Sequence, residues 1–470
     1  FSMAPLLTQG SIHAINSVAD ELVTETYLAK LVSGEWTGTM NLTEPEAGSD
    51  VGALRTKAVP NDDGSWAITG SKIYISWGDH DMAENVIHLV LARTPDAPPG
   101  TKGISCFVVP KIMVNDDGSL GEPNDLKVVS VEHKMGINAS PTCTMSFGDA
   151  GGATGWLLGD EFDGMRVMFV MMNMARLSVG VQGLGLAERT LQGALSYANE
   201  RVQGKVVGTP KEDRTSPIVG HPDVRRMLLD MRSLTEAMRG ICLMNAVAMD
   251  RAGSLADEDA RQAAEDLNEL LIPITKAWCT DMGVEVTSLA IQVYGGMGFV
   301  EETGVSQFFR DARIAPIYEG TNGIQAMDLV GRKLPMRSGG VVTDTIADIR
   351  ATAAALSADD ELAGIGARLA EATDALDEAT QWIFGHAGEI RDVLAGATPY
   401  LRMWGLVVGG WVLGKSALAA AEWAADDGPA DFCAEKVRTA RWFADQHLST
   451  VVGLTARATS GASLMDEASL

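Results

Sequence analysis

The chain has 470 residues, with 46% hydrophobic and 21% charged positions and five cysteines. That is globular composition, enough for two to four domains, and it excludes a disordered or fibrous chain. Asp and Glu number 62 against 37 Lys and Arg, a formal net charge of −25. Such a surface repels phosphate backbones and anionic lipid, which argues against non-specific nucleic-acid or membrane binding. The cysteines (Cys106, Cys143, Cys242, Cys279, Cys433) are odd in number and never spaced as CxxC. That usage fits buried thiols in a reducing compartment, and a cytoplasmic location is expected. The chain starts at Phe1, so a preceding segment, processed or missing, is expected too.

Residues 1–34 read as helical, with Leu22, Thr26, Leu28 and Leu31 at helical spacing and Gly34 as a stop. From Glu35 the pattern becomes strand-like. Ser71-Lys-Ile-Tyr-Ile-Ser alternates, while Val86-Ile-His-Leu-Val-Leu and Gly103-Ile-Ser-Cys-Phe-Val-Val-Pro110 read as buried strands. Turn clusters at 61–64, 95–100 and 115–118 separate them. This predicts a β-domain over 35–160. Helix periodicity then predicts helices over 162–200, 222–252, 260–298 and 321–333, with an exposed connection over 203–222. Residues 335–341 read as a linker, and 342–470 as a second helical block of three or four helices. The most apolar stretch, 403–421, is interrupted by Lys415 and reads as a buried core helix. The organisation is therefore α+β: N-terminal helices (1–34), a middle β-domain (35–160), a helical bundle (161–334) and a helical extension (342–470).

Several motifs have a plain structural reading. Gly409-Gly-Trp-Val-Leu-Gly414-Lys415-Ser416 matches GxxxxGK[ST], but no strand precedes it and Ala-rich helical sequence surrounds it, so its glycines read as helix-packing positions. The seven histidines show no metal-ligand spacing, and no metal is expected. The methionines at 165, 168, 171, 172 and 174 read as core, with an adaptable apolar pocket wall as the alternative. Two loops carry more. Thr39-Met-Asn-Leu-Thr-Glu-Pro-Glu-Ala-Gly-Ser-Asp50 offers hydroxyls and backbone N–H groups suited to a ring carbonyl or phosphate, or is a surface turn. In Ala315-Pro-Ile-Tyr-Glu319-Gly320-Thr321-Asn322-Gly323, Gly320 permits close approach, Thr321 can cap a following helix, and Glu319 follows four residues without charge. Desolvation there raises a carboxylate toward neutrality and suits it as a general base.

Met40-Asn-Leu-Thr-Glu-Pro-Glu-Ala-Gly-Ser-Asp50, Tyr74-Ile-Ser76, Gln292-Val-Tyr-Gly-Gly-Met-Gly-Phe299 and Phe309-Arg-Asp-Ala-Arg-Ile-Ala-Pro-Ile-Tyr-Glu-Gly-Thr321 together resemble the acyl-CoA dehydrogenase family in order and spacing, over about residues 1–334. His133-Lys-Met-Gly, Met174-Ala-Arg-Leu-Ser-Val-Gly180, His221-Pro-Asp-Val-Arg-Arg-Met227 and the extension resemble its long branch, which includes dehydrogenases of 3-methylmercaptopropionyl-CoA and of a broad range of fatty acyl-CoA. The resemblance implies FAD, an acyl-CoA thioester, α,β-desaturation, electron-transferring flavoprotein as electron acceptor, and a homodimer or homotetramer. It implies that Glu319 takes the α-proton. It places Met40, Leu42, Thr43, Ser49, Tyr74 and Ser76 about the flavin. Arg201, Gln292, Gly295, Gly296, Thr321 and Gly323 complete the cofactor site, part of it belonging to the neighbouring subunit's FAD. Ser49, Asn173, Arg176 and Gly320 would meet the substrate, with Arg176 near the base. The chain departs from the family pattern at Gly204 (commonly Phe), Gly323 (commonly Gln) and Glu46 (commonly Gly), and its N-terminal helical domain is shorter by about 100 residues on the family pattern. An acyl-CoA oxidase and a DNA-associated flavoprotein of the same fold are the alternatives.

Overall fold

The computed structural model describes residues 2–208 and 216–469. Part of the connection expected over 203–222, residues 209–215, lies outside the described residues. The chain divides into two compact units, Phe1–Ala175 and Arg176–Leu470.

The first unit opens with α1 (Met3–Val18), α2 (Glu21–Val23), a π turn (Thr24–Leu28) and α3 (Ala29–Ser33). The Asp20 carboxylate accepts from Val23 N at 2.9 Å and starts α2. Gly34, at φ 79°, ends α3 in the left-handed region that a Cβ disfavours. Ten strands follow: β1 (Trp36–Asn41), β2 (Lys57–Pro60), β3 (Trp66–Ser76), β4 (Asn85–Ala92), β5 (Ser105–Pro110), β6 (Ile112–Val114), β7 (Leu120–Pro123), β8 (Leu126–Val131), β9 (Thr142–Phe147) and β10 (Ala153–Leu157). The main sheet runs β1-β4-β5-β10-β3-β9-β8, with β2 beside β3; only β1–β4 is parallel.

Strands β4 and β5 are buried at every position, which is why they read as unbroken apolar runs. The two-residue period of a strand sends their side chains to two cores. Ile87, Leu89, Leu91, Cys106 and Val108 join Leu7, Ile15, Tyr27, Met168 and Met171 on one face. Val90, Phe107 and Val109 join Ile68, Met145 and Phe147 on the other. Four of the five methionines are core: Met168 and Met171 are fully buried, and Met165 and Met172 pack against them, while Met174 is half-buried outside that cluster.

The loop after β1 is held from below. Lys72 Nζ, fully buried, donates to Leu42 O (3.0 Å) and to Glu44 Oε1 (2.8 Å). Glu44 also accepts from Arg55 N (2.6 Å), Thr56 N (3.0 Å) and Thr56 Oγ1 (2.6 Å). Burial would raise the Glu44 carboxyl, but the Lys72 ammonium and these donors hold it below the usual carboxylate range.

In the second unit the remainder of α4 (Gly164–Glu200) is followed by α5 (Pro222–Ser254), α6 (Glu258–Tyr294), α7 (Val305–Ala312) and α8 (Asn322–Asp328). Pro222 opens α5 at a position where its missing N–H costs nothing. Asp257 caps α6 by accepting from Ala260 N at 2.8 Å. The single helix expected over 321–333 is α8 followed by a π turn, Leu329–Lys333. The linker expected over 335–341 is a short 3-10 turn, Met336–Gly339, and Gly340 already belongs to the next helix.

The extension holds six helices rather than three or four: α9 (Gly340–Ser357), α10 (Ala363–Gly385), α11 (Ile390–Asp426), α12 (Ala430–Gln446), α13 (Val451–Thr459) and α14 (Ser463–Glu467). The last two are too short to display a period in sequence. One continuous core joins bundle and extension, with Leu234, Trp278 and Leu329 packed among Trp404, Phe443 and Leu448. Helix α11 packs against α5, α6 and α8. It is long and apolar enough to cross a membrane by length and composition, yet most of its apolar window is buried within this unit.

The GxxxxGK[ST] pattern lies inside α11, and its glycines are contact points. A Cβ on Gly409 would fall 2.9 Å from Phe443 Cζ, and one on Gly410 2.7 Å from Leu448 Cδ1. Lys415 Nζ sits 4.1 Å over the Trp411 ring, away from any loop. One turn earlier, a Cβ on Gly405 would lie 2.1 Å from Trp278 Cγ. Gly405→Leu is therefore expected to lower stability by about 1–3 kcal/mol or more, read as a fall in the urea midpoint. Lys72→Met, which strips a buried carboxylate of its cation, is expected to cost about 3 kcal/mol, again by urea unfolding, while surface Lys57→Met leaves the midpoint unchanged.

Candidate active site

Between α7 and α8 the chain makes a tight turn in the second unit. Ile317 N and Tyr318 N both donate to Ile314 O, at 2.8 and 3.2 Å, and Asn322 N donates to Pro316 O at 2.9 Å, closing the loop. Glu319 then adopts φ 56° and Gly320 φ 79°. Two successive left-handed residues are easy for glycine and costly for glutamate, of order 1–3 kcal/mol. The strain is held by hydrogen bonds. Gln325 Nε2 donates to Glu319 O (3.2 Å) and Gly320 O (3.4 Å). Lys276 Nζ on α6 donates to Gly320 O and Asn322 Oδ1, both at 2.8 Å. Asn322 Nδ2 returns to α6 at Ala277 O (3.1 Å) and Asp281 Oδ1 (2.7 Å). Thr321 caps α8, its Oγ1 accepting from Ile324 N at 3.2 Å.

This turn aims the Glu319 carboxyl inward. Oε2 is sealed from solvent and has no hydrogen-bond partner among the described residues. Burial pushes the carboxyl up to about 7, against the pull of Lys276 and Arg176. Lys276 is itself pushed down to about 7 by burial, opposed by Glu319 and Asp281. Arg176 is buried too, its guanidinium Nη1 3.3 Å from Asp328 Oδ2. Among the described residues the Glu319 N–H donates to no acceptor, so it stands open as a donor beside the carboxyl. The Tyr318 hydroxyl donates to Gln182 Oε1. A carboxylate with one sealed oxygen and a proton affinity near neutrality, with an unengaged N–H at its own residue, is equipped to abstract a proton next to a carbonyl.

The second unit distributes the remaining expected residues over two stations. Thr321, Gly323 and Gly320 belong to the Glu319 turn. Gln292, Gly295 and Gly296 lie at the far end of α6, exposed, with Gly295 at φ 61° and open space where a Cβ would stand on either glycine. Arg201 is exposed just beyond α4, and Tyr197 stacks on Tyr294 at 4.2 Å, tying the ends of α4 and α6 together. Asp281, which holds the turn, is 11 residues from Gln292 on the helix, roughly 16 Å at 1.5 Å per residue. One chain therefore keeps the two stations apart. Arg176, expected at the substrate, has its guanidinium committed to Asp328, so its effect on Glu319 is electrostatic.

In the first unit Met40, near the end of β1, is half-buried, as are Leu42 and Thr43 on the loop that Lys72 anchors, and Ser49 is exposed. Thr39 Oγ1 and His88 Nδ1 are 2.7 Å apart beneath Met40, and burial pushes His88 down to about 3, so the ring is neutral. A register shift between Lys72 and Ile75 turns Tyr74 outward at φ 60°, 62% exposed. Ser76 is half-buried on the same strand, and Asn173 is half-buried on α4. The motifs gave no role to Glu44, Lys72, Lys276, Gln325 and Asp281. The one available signal was Lys276 within the apolar run Leu270-Leu-Ile-Pro-Ile-Thr-Lys276, where an uncompensated lysine is out of place.

The chain matches the acyl-CoA dehydrogenase middle domain over residues 39–150, the acyl-CoA dehydrogenase C-terminal domain over 163–334 and the acetyl-CoA dehydrogenase C-terminal-like domain over 345–467. It is 49% identical over 451 residues to a 3-methylmercaptopropionyl-CoA dehydrogenase of Ruegeria pomeroyi, covering 95% of this chain and 76% of that one. It is 36% identical to a broad-specificity linear acyl-CoA dehydrogenase of Mycobacterium tuberculosis, covering 88% and 70%. Among solved structures, an acyl-CoA dehydrogenase complexed with FAD from Bacillus anthracis superposes with a TM-score of 0.74 at 21% identity, covering 95% and 73%. The α+β architecture, the ordered motifs and these matches agree: the chain belongs to the acyl-CoA dehydrogenase family.

Proposed function

We propose that this protein is an FAD-dependent acyl-CoA dehydrogenase in which Glu319 removes the α-proton of a coenzyme A thioester, yielding the 2-enoyl-CoA. The single observation that carries the reading is the Glu319 carboxyl: Oε2 is sealed, unpartnered and held on a left-handed turn. The residues present fit a flavin. Among the described residues the Thr43, Ser49 and Ser76 hydroxyls donate to no acceptor; Ser49 is exposed, and Thr43 and Ser76 are half-buried. Tyr74 offers an exposed ring, Gly295 and Gly296 leave backbone accessible, and the Arg201 guanidinium is exposed for a pyrophosphate. When bound, FAD supplies the acceptor for the hydride that leaves the β-carbon.

The chain's own work is binding, polarisation and proton transfer. An α-proton beside a thioester is weakly acidic, so its carbonyl needs a donor, and the free Glu319 N–H is one. A pre-placed donor of this type contributes about 3–4 kcal/mol to the transition state. The carboxylate takes the proton, and the dry surroundings keep water from competing. Electron-transferring flavoprotein is the proposed acceptor of the two electrons. The M. tuberculosis and R. pomeroyi relatives carry different substrate names, so the acyl chain is to be read from a panel of short, methylthio and long acyl-CoAs.

Glu319→Gln is expected to retain flavin absorbance and to lose on the order of 10³-fold in anaerobic flavin bleaching by acyl-CoA; undiminished bleaching would remove Glu319 as the base. Because only the ionised carboxylate accepts a proton, kcat/KM is expected to fall as pH drops through about 7 and to level off above it. A profile flat across that range contradicts the assignment. Peroxide formed in proportion to turnover, with no reduction of electron-transferring flavoprotein, would replace the proposed acceptor with oxygen.

A further inference from the structure

Among the described residues of the second unit, Lys276 is the one lysine with no exposed surface. Lysine loses about 2 kcal/mol of rotamer freedom when immobilised, on top of the cost of desolvating its charge. Neither cost is recovered by a carboxylate contact, for no acidic oxygen lies within ion-pair distance of Nζ among the described residues. Its two partners are Gly320 O and Asn322 Oδ1, the residues on either side of Thr321. Gly320 O is the carbonyl of the second left-handed residue, directly after the base. Asn322 is in turn locked to α6 at Ala277 O and Asp281 Oδ1. Lys276 and Asn322 thus form a closed bridge between α6 and the turn that carries the carboxylate.

The charge acts as well as the bonds. The groups facing Glu319 are Lys276 from α6, Arg176 from α4 and the neighbouring Tyr318. Those facing Lys276 are Glu319, Asp281 and Arg176. Asp281 is faced by Arg402 from α11 and by Arg313 beyond α7. Arg176 is already balanced by Asp328, which also holds Arg332. Lys276 is therefore the cation near Glu319 whose charge no carboxylate neutralises by contact.

We propose that Lys276 is a positioning residue for the base: its ammonium fixes the Glu319–Gly320 turn through Gly320 O and supplies the positive charge against which Glu319 works. The inference rests on Glu319 being the base, and it adds a residue that does not itself touch the substrate. Two contributions are separable by substitution. Lys276→Met removes donor and charge, Lys276→Gln keeps a donor and removes the charge, and Lys276→Arg keeps both.

The experiment compares these holoenzymes with wild type by flavin content, thermal midpoint and the pH profile of kcat/KM for acyl-CoA. Loss of the nearby positive charge is expected to move the acid limb upward in both Lys276→Met and Lys276→Gln; Lys276 is itself pushed down to about 7, so Lys276→Arg, which stays charged throughout, is expected to leave the limb in place or lower it. Lys276→Met is further expected to lose about ten-fold or more in kcat above the limb, with KM little changed, because the turn loses its anchor. A merely structural lysine would change flavin content or melting without moving the limb. The idea is overturned if the limb stays at its wild-type position in whichever neutral variant retains flavin. It is overturned equally if neither neutral variant retains flavin, which makes Lys276 a fold residue alone. Glu319→Gln run in parallel keeps the two readings distinct: full activity there removes the base, whereas inactivity there with unmoved limbs in the lysine variants removes only the role of Lys276.

Discussion

The chemistry proposed for the second unit depends on one constraint, a carboxylate oxygen denied water. Glu319 feels two opposed influences. Burial favours the neutral acid, and the buried cations Lys276 and Arg176 favour the anion. Were burial alone in charge, the group would stay protonated and useless as a base. Were either cation paired with it directly, the carboxylate would be too weak a base. The structure avoids both outcomes by committing each cation elsewhere, Arg176 to Asp328 and Lys276 to Gly320 O and Asn322. The cations act across the low-dielectric interior without contact, and the proton affinity settles near neutrality.

The two units solve one problem in the same way. Each carries candidate site side chains on a loop, and a loop is mobile unless its backbone is satisfied. In the first unit Lys72 reaches up to Leu42 O and Glu44, just beneath Thr43. In the second Lys276 reaches Gly320 O and Asn322, just after Glu319. A buried ammonium, with three donors on a long stem, can hold a carbonyl and a side-chain oxygen together while occupying little of the loop itself. The extension contributes at one remove. Helix α11 packs on α8, which begins within the Glu319 turn, and on Trp278, two residues beyond Lys276.

Much of the fold was legible in the residues. Gly34 ends α3, Asp257 and Thr321 cap their helices, and the apolar runs of β4 and β5 announce strands covered on both faces, because each of these is a local rule of backbone or period. The glycines of α11 were legible as packing positions only because no strand preceded them. The helix count of the extension was not legible, since α13 and α14 are shorter than the window in which a period can be seen. The separation of Gln292, Gly295 and Gly296 from the Thr321 turn was also hidden, because both read as parts of one cofactor site until the length of α6 set them apart.

The sequence alone determined that residue 319 is an acid on a glycine-bearing turn, and its motifs determined the family. What only the tertiary structure decided is the company that acid keeps: that Lys276, 43 positions earlier in sequence, and Arg176 fold into its neighbourhood, while one carboxyl oxygen, Oε2, is sealed from water. Proton affinity depends on dielectric and on distances between charges, and neither is written in the order of residues.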